Sequence, residues 1–148
     1  MKPAELSLAD FVIRLGVAAG LGIAIGFERQ WRQRATGLHT SSLVAIGSAL
    51  FALLDLAIRG GDTTRIVAGV VTGVGFIAAG VIFRTGVSVT GLNTAATIWA
   101  TAAIGAAAGF GFFPEAAVAA AVVIILNVVL QPLANAIDAR TQPTTPDK

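Results

Sequence analysis

Residues 65–111 read RIVAGVVTGVGFIAAGVIFRTGVSVTGLNTAATIWATAAIGAAAGFG, two glycine-dense apolar runs joined by a turn region that begins at Arg84. The stretch holds nine of the chain's seventeen glycines. In water each would weaken a helix by roughly 1 kcal/mol relative to alanine, whereas in a bilayer small residues let helices approach closely. The stretch therefore predicts membrane-embedded helices.

Composition agrees. Of 148 residues 55% are apolar and 12% charged, against about 25% charged in an ordinary soluble domain. At roughly 20 residues per crossing the chain has room for about five helices. The fold class expected is all-α: a polytopic membrane protein with about five transmembrane helices in a compact glycine-rich bundle. Residues 1–137 are expected to form the membrane domain and 138–148 a short disordered cytoplasmic tail. Cysteine is absent, which removes disulfides and thiolate chemistry. A net charge of +2 is too small and dispersed for nucleic acid.

The expected crossings lie near residues 11–27, 41–58, 66–83, 92–110 and 116–137. Ser7 to Asp10 has the spacing of a helix N-terminal box, and Asp10 and Arg14 have the spacing of an ion pair across one turn. The interruption by Arg14 argues for an anchor rather than a cleaved signal peptide. Short loops favour an up-down bundle. Lysine and arginine place Arg29, Arg32, Arg34, Arg84, Arg140 and Lys148 on one side against Lys2, Arg14, Arg59 and Arg65 on the other. Cytoplasmic loops are enriched in such residues, so the N-terminus is expected outside and the C-terminus in the cytoplasm.

Small residues recur at intervals of four: Gly16 and Gly20, Gly22 and Gly26, Ala45 and Ala49, Gly69 and Gly73, Gly105 and Gly109, Ala117 and Ala121. Each pair can mark a helix contact within one protomer or between protomers. In the fourth helix Asn93, Thr97, Thr101, Gly105 and Gly109 form a stripe that should face protein or water. Interhelical hydrogen bonding, worth roughly 1 kcal/mol per contact, is weighed there against a solute path. Asn127, Gln131 and Asn135 repeat the spacing in the fifth helix. The packing stripe is thus Gly69, Gly73, Thr97, Thr101, Gly105 and Gly109.

Charged residues sort by side. Asp10, Arg14, Asp55, Arg59, Asp62 and Arg65 fall near the outer surface, where interfacial ion pairs are the plain reading. Glu28, Arg29, His39, Arg84 and Asn93 fall near the cytoplasmic surface, where a buried contact between Glu28 and an arginine would stabilise the corner. His39 has no second histidine or cysteine, which speaks against zinc. A dehydrated magnesium site needs carboxylates, and Glu28 and Asp55 lie at opposite ends of their helices. GVGFIAAG at 73–80 lacks the spacing and lysine of a nucleotide loop. No catalytic set, cofactor or metal site is expected.

Two segments, IGFERQWRQRATGLHTSSLVAIGSALF and RIVAGVVTGVGFIAAGVIFRTGVSVTGLNTAATIWATAAIG, together resemble the hydrophobic domain of the MgtC/SapB family over about residues 10–135. The resemblance rests on Gly26, Glu28-Arg29, Gly37-Leu38, Thr40, Gly73, Gly75-Phe76, Gly80, Ile82 to Arg84 and Gly91 through Trp99. The functional polar corner expected is Glu28, Arg29, Arg84, Asn93 and Thr94. The chain departs from the family in carrying His39 where arginine is common and Ala100 where some relatives have cysteine, and the cytoplasmic domain of many relatives is expected to be missing. The resemblance implies a non-enzymatic bacterial inner-membrane regulator linked to magnesium limitation, acid stress or intracellular survival. By that analogy it acts through contacts with a membrane complex such as the F-type ATP synthase. A homo-oligomer in the lipid bilayer is expected, and a small oligomeric channel or transporter for magnesium or another ion is the alternative.

Overall fold

The computed structural model describes residues 6–34, 36–58, 62–86 and 88–141, with side chains as far as residue 130 and at Pro132. Among them are five helices and one hairpin: α1 (Leu8–Trp31), α2 (Leu38–Ala57), α3 (Thr63–Ala79), β1 (Phe83–Thr85), β2 (Ser88–Thr90), α4 (Leu92–Phe110) and α5 (Phe113–Thr141). Leu8–Trp31, Leu38–Ala57 and Phe113–Leu130 are long and apolar enough to cross a membrane, and α3 is a shorter apolar helix. The chain is a helical membrane protein, as its composition requires.

Helix α4 lies at the centre. Ten of its residues are buried, Thr94, Thr97 and Thr101 among them. Its hydroxyls turn inward onto protein rather than outward onto lipid, where polar groups would go unsatisfied. One apolar cluster joins Ala18, Ile25, Ala49, Ile104, Ala108, Ala116 and Ala120 from four helices. A smaller one joins Val74 and Ala78 of α3 to Ala95, Ile98 and Ala102 of α4.

Close packing follows only some of the small pairs. A Cβ on Gly22 would lie 2.9 Å from the Cβ of Ala45, one on Gly26 would lie 2.8 Å from the Cα of Leu38, and one on Gly109 would lie 2.8 Å from the Cα of Ala49. On Gly105 it would run into the backbone of Ala45. These glycines bring α1 and α4 against the two sides of α2. At Gly16, Gly20, Gly69 and Gly73 an added Cβ would meet nothing within 4 Å, so the expected contact is absent there among the described residues. In α5 the buried alanines are Ala116 and Ala120, while Ala117 and Ala121 are exposed. Four-residue spacing identifies a possible face, and the neighbour decides which face is used.

Helix ends also differ from the sequence expectation. Helix α3 stops at Ala79 rather than Phe83, and the turn region is a two-stranded antiparallel ribbon pairing Phe83 with Thr90, Arg84 with Val89 and Thr85 with Ser88. The β-branched and aromatic residues from Val81 to Phe83 suit extended backbone. Gly86, with φ +63°, turns the ribbon, and Gly91, with φ +89°, turns the chain into α4 against the carbonyl of Val81. Helix α1 runs four residues past Phe27 because Glu28 and Arg32 pair across its last turn, Oε1 to Nε at 2.9 Å. Helix α5 continues to Thr141, so the expected tail from residue 138 begins as helix; residues 142–148 lie outside the described residues.

At the start of α1, Ser7 Oγ accepts from the Asp10 amide at 3.1 Å and donates to Asp10 Oδ2 at 2.7 Å, forming the expected box. The Asp10–Arg14 ion pair does not form. Arg14 instead donates from Nη1 to the Gly109 carbonyl at 3.0 Å, placing a cation at the C-terminal end of α4 where the helix dipole favours it. The other acids near that end serve helix starts: Asp62 Oδ1 accepts from the Arg65 amide, and Thr63 donates to buried Asp55 at 2.6 Å. Among the described residues the outer charges form no ion pairs. Arg59 lies outside the described residues.

Candidate functional site: a buried guanidinium

The last turn of α1 carries Glu28, Arg29 and Arg32. Arg29 points inward and is 1% exposed, one of the largest fully buried side chains. Its fork is held by oxygen atoms from two other elements. Nε donates to the carbonyl of Thr36 at 3.1 Å and to its Oγ1 at 2.8 Å, Nη2 donates to Thr94 Oγ1 at 2.7 Å, and Nη1 donates to Thr97 Oγ1 at 3.2 Å. The planar fork suits acceptors spread across a loop and a neighbouring helix, a geometry a lysine ammonium would not reproduce.

Local sequence explains the arrangement. The chain leaves α1 through Gln33 with φ 53° and returns at Gly37, where a Cβ would lie 2.6 Å from Gln30 Oε1. That Gln30 oxygen accepts the amide of Leu38 at 3.1 Å, supplying α2 with the N-terminal acceptor that Gly37 cannot. The tight return places Thr36 over Arg29. On α4, Thr94 and Thr97 are three residues apart and share a face.

Thr97 is the hub. Its hydroxyl donates to the Asn93 carbonyl at 2.8 Å while accepting from Arg29, and Asn127 Nδ2 of α5 approaches it at 3.5 Å. Thr101 donates to the Thr97 carbonyl at 2.7 Å. The threonine stripe of α4 and the amide stripe of α5 therefore meet at Thr97 and Asn127. Asn93 and Thr97 on the α4 wall and Asn127 on the α5 wall line a groove of about 460 Å³ between these helices. The side chains of Gln131 and Asn135 lie outside the described residues.

The buried contact expected between Glu28 and an arginine takes another form. Glu28 pairs with Arg32, which is 33% exposed, and leaves Oε2 as the one buried side-chain oxygen or nitrogen without a partner among the described residues. The buried arginine, Arg29, is held by hydroxyls instead of a carboxylate. Arg84 stays on the exposed ribbon and donates to the carbonyl of Gly86 at 3.0 Å. Of the five corner residues, Arg29 and Thr94 are joined directly, Asn93 is linked to them through Thr97, and Glu28 and Arg84 bond elsewhere.

Thr36, Gln30 and the link from Arg14 to Gly109 were not singled out from the sequence. Thr36 sits in the loop next to Gly37, and Gln30 in the last turn of α1 lies against that glycine, which is the signal that could have found them. Of the packing stripe, Thr97, Thr101, Gly105 and Gly109 lie inside the bundle, whereas Gly69 and Gly73 line a groove between α2 and α3. Among the described residues no three metal-ligating side chains gather, and His39 is exposed. Chemically the arrangement is a donor fork filled by oxygens, and it fixes the end of α1, the following loop and the start of α4 to one another.

The MgtC family model matches residues 15–136, which includes every residue of this site. An uncharacterized protein of Synechocystis is 47% identical over 92% of this chain and 58% of its own length. Proteins named MgtC from Brucella abortus and Salmonella typhimurium are 46% and 44% identical, over 88% and 90% of this chain and 56% and 58% of their own lengths. This chain thus spans little more than half the length of these relatives. No solved structure matches it. With the family matched across the bundle and its buried arginine corner, the chain belongs to the MgtC family.

Proposed function

We propose that this chain is a non-enzymatic regulator of the bacterial inner membrane that works under magnesium limitation or related stress through helix contacts with a larger membrane complex. Its five helices cross the bilayer with the N-terminus outside and the C-terminus in the cytoplasm. The F-type ATP synthase is the complex that family analogy suggests. The observation that carries this reading is the state of the buried polar groups: apart from Glu28 Oε2, every buried side-chain donor and acceptor among the described residues is bonded within the protomer. Such a protein presents surface to its neighbours rather than reactive groups. Within the corner, Arg29 and Thr94, with Asn93 linked through Thr97, set the geometry at the cytoplasmic end, where the exposed ribbon that carries Arg84 offers Phe83 and Val89.

Partner capture from native membranes, with growth at limiting magnesium, tests the proposal. A membrane complex is expected to copurify with the unaltered protein and to be lost, with the growth phenotype, in at least one of Glu28→Ala, Arg84→Ala and Asn93→Ala. Isolation without a partner, or unchanged capture and growth in all three, overturns it. Flux of magnesium or another small ion through the purified protein in liposomes would replace it with the channel reading.

A further inference from the structure

The groove between α2 and α3 encloses about 670 Å³ and is lined by Gly47 and Phe51 on one wall and by Arg65, Gly69, Gly73 and Ile77 on the other. It exists because side chains are missing. A Cβ on Gly47, Gly69 or Gly73 would meet nothing within 4 Å. From Arg65 to Ile77 it runs about 18 Å, by the helical rise of 1.5 Å per residue. Arg65 stands exposed at one end, and among the described residues no acid pairs with its guanidinium.

A second unpartnered surface has matching dimensions and opposite charge. Helix α5 begins with exposed Glu115, for which no partner occurs among the described residues. Along the same face follow Ala119, Val122 and Leu126 at steps of four, three and four residues, all exposed. From Glu115 to Leu126 is roughly 17 Å. The order of contacts fixes the direction of both surfaces. Ala45 meets Gly105 and Ala49 meets Gly109, so α2 and α4 run the same way. Helices α3 and α5 pack antiparallel to α4, one joined to its start and the other to its end, so both begin at the same end of the bundle.

Depth is what singles out the occupant. Any foreign helix would need an acid at the level of Arg65 by coincidence. A second copy inserted with the same topology carries Glu115 within the first turn of a helix that starts at that level. We propose that a second copy of this chain seats its α5 in the α2–α3 groove, with the Glu115 carboxylate against the Arg65 guanidinium and Ala119 against Gly69. Alanine facing glycine gives the close approach on which helix association in lipid depends. The two surfaces differ, so the contact is head-to-tail and leaves one groove and one α5 free on the pair, to be filled by ring closure. The inference does not rest on the regulatory reading, and its test reads assembly alone.

The absence of cysteine makes the test clean. Differently tagged Gly69→Cys and Ala119→Cys copies are coexpressed, and their membranes are oxidised. Both positions are open, so the substitutions leave the protomer intact, and contact within disulfide range, about 4.4–6.8 Å between Cα atoms, gives a mixed dimer. That dimer is expected at a yield well above either variant alone. Arg65→Glu on the Gly69→Cys copy should lower the yield roughly tenfold, since attraction becomes repulsion, and Glu115→Arg on the other copy should restore it. A mixed yield no greater than that of the single variants, indifference to charge reversal, or failure of the double reversal to restore it overturns the proposal. So does native mass spectrometry showing a monomer that keeps a phospholipid in the groove.

Discussion

The α2–α4 seam and the α2–α3 groove are built from the same spacing of small residues and have opposite structures. In the seam, Gly105 and Gly109 lie so close to Ala45 and Ala49 that a methyl group has no room. In the groove, Gly69 and Gly73 face open space. Glycine in the seam is required by its neighbour, whereas glycine in the groove makes room for one. A small residue every fourth position therefore states how near another helix could come, and says nothing of whether that helix belongs to the same protomer.

The sharpest way to break this contrast is to add bulk to both regions. Gly105→Leu should destabilise the bundle by about 3 kcal/mol or more, because the side chain meets the backbone of Ala45, which cannot rotate away. Denaturant unfolding in mixed micelles reads this, and a stable Gly105→Leu protein would remove the distinction. Next in size is Arg29→Lys, which keeps the charge but loses the fork, with an expected cost of about 2 kcal/mol. If thermal melting shows no difference between lysine and arginine at position 29, the corner is not held by the fork.

A smaller effect is expected for Arg14→Met. The helix dipole at the end of α4 loses its cation and the Gly109 carbonyl its donor, which costs about 1 kcal/mol. Proteolysis rates report this through the population of opened molecules, and an unchanged rate would leave the contact without energetic weight. Smallest, and of opposite sign, is Gly69→Ala in dilute detergent, where the protomer stands alone. Helix propensity then predicts a gain of up to about 1 kcal/mol. A clear loss of stability in that setting would place Gly69 against its own protomer.

The sequence reading reached the helical bundle, the Ser7 box and the polar stripe on α4 because these depend on local spacing. It also put Arg29 and Thr94 at one corner. It did not distinguish Arg29 from Arg84 as the buried arginine, since both end apolar runs. The distinction arises from Thr36 in the loop and from Thr94 and Thr97 on a helix more than sixty residues away, which turn one guanidinium inward. The ribbon was missed for a related reason: Val81 to Phe83 continue an apolar run, and only Gly86 and Gly91 with positive φ reveal that the helix has ended. Ala116 and Ala120 took the inward face of α5 from Ala117 and Ala121 because α1 and α4 lie on that side.

Helix α3 has only Val74 and Ala78 buried along its length, but both its ends are tied. Asp55 holds Thr63 at its start, and the ribbon returning to Gly91 holds its finish. An element fastened in this way can swing outward without breaking any hydrogen bond inside α1, α2 or α4. We expect it to join the bundle last during assembly and to be first to exchange its amide hydrogens, while α4 stays protected. Equal protection of α3 and α4 in hydrogen exchange would contradict that order. The late arrival of α3 would leave one wall of the bundle open until the rest had settled, so the sequence of insertion, and not the groove's shape alone, governs when a neighbouring molecule can enter.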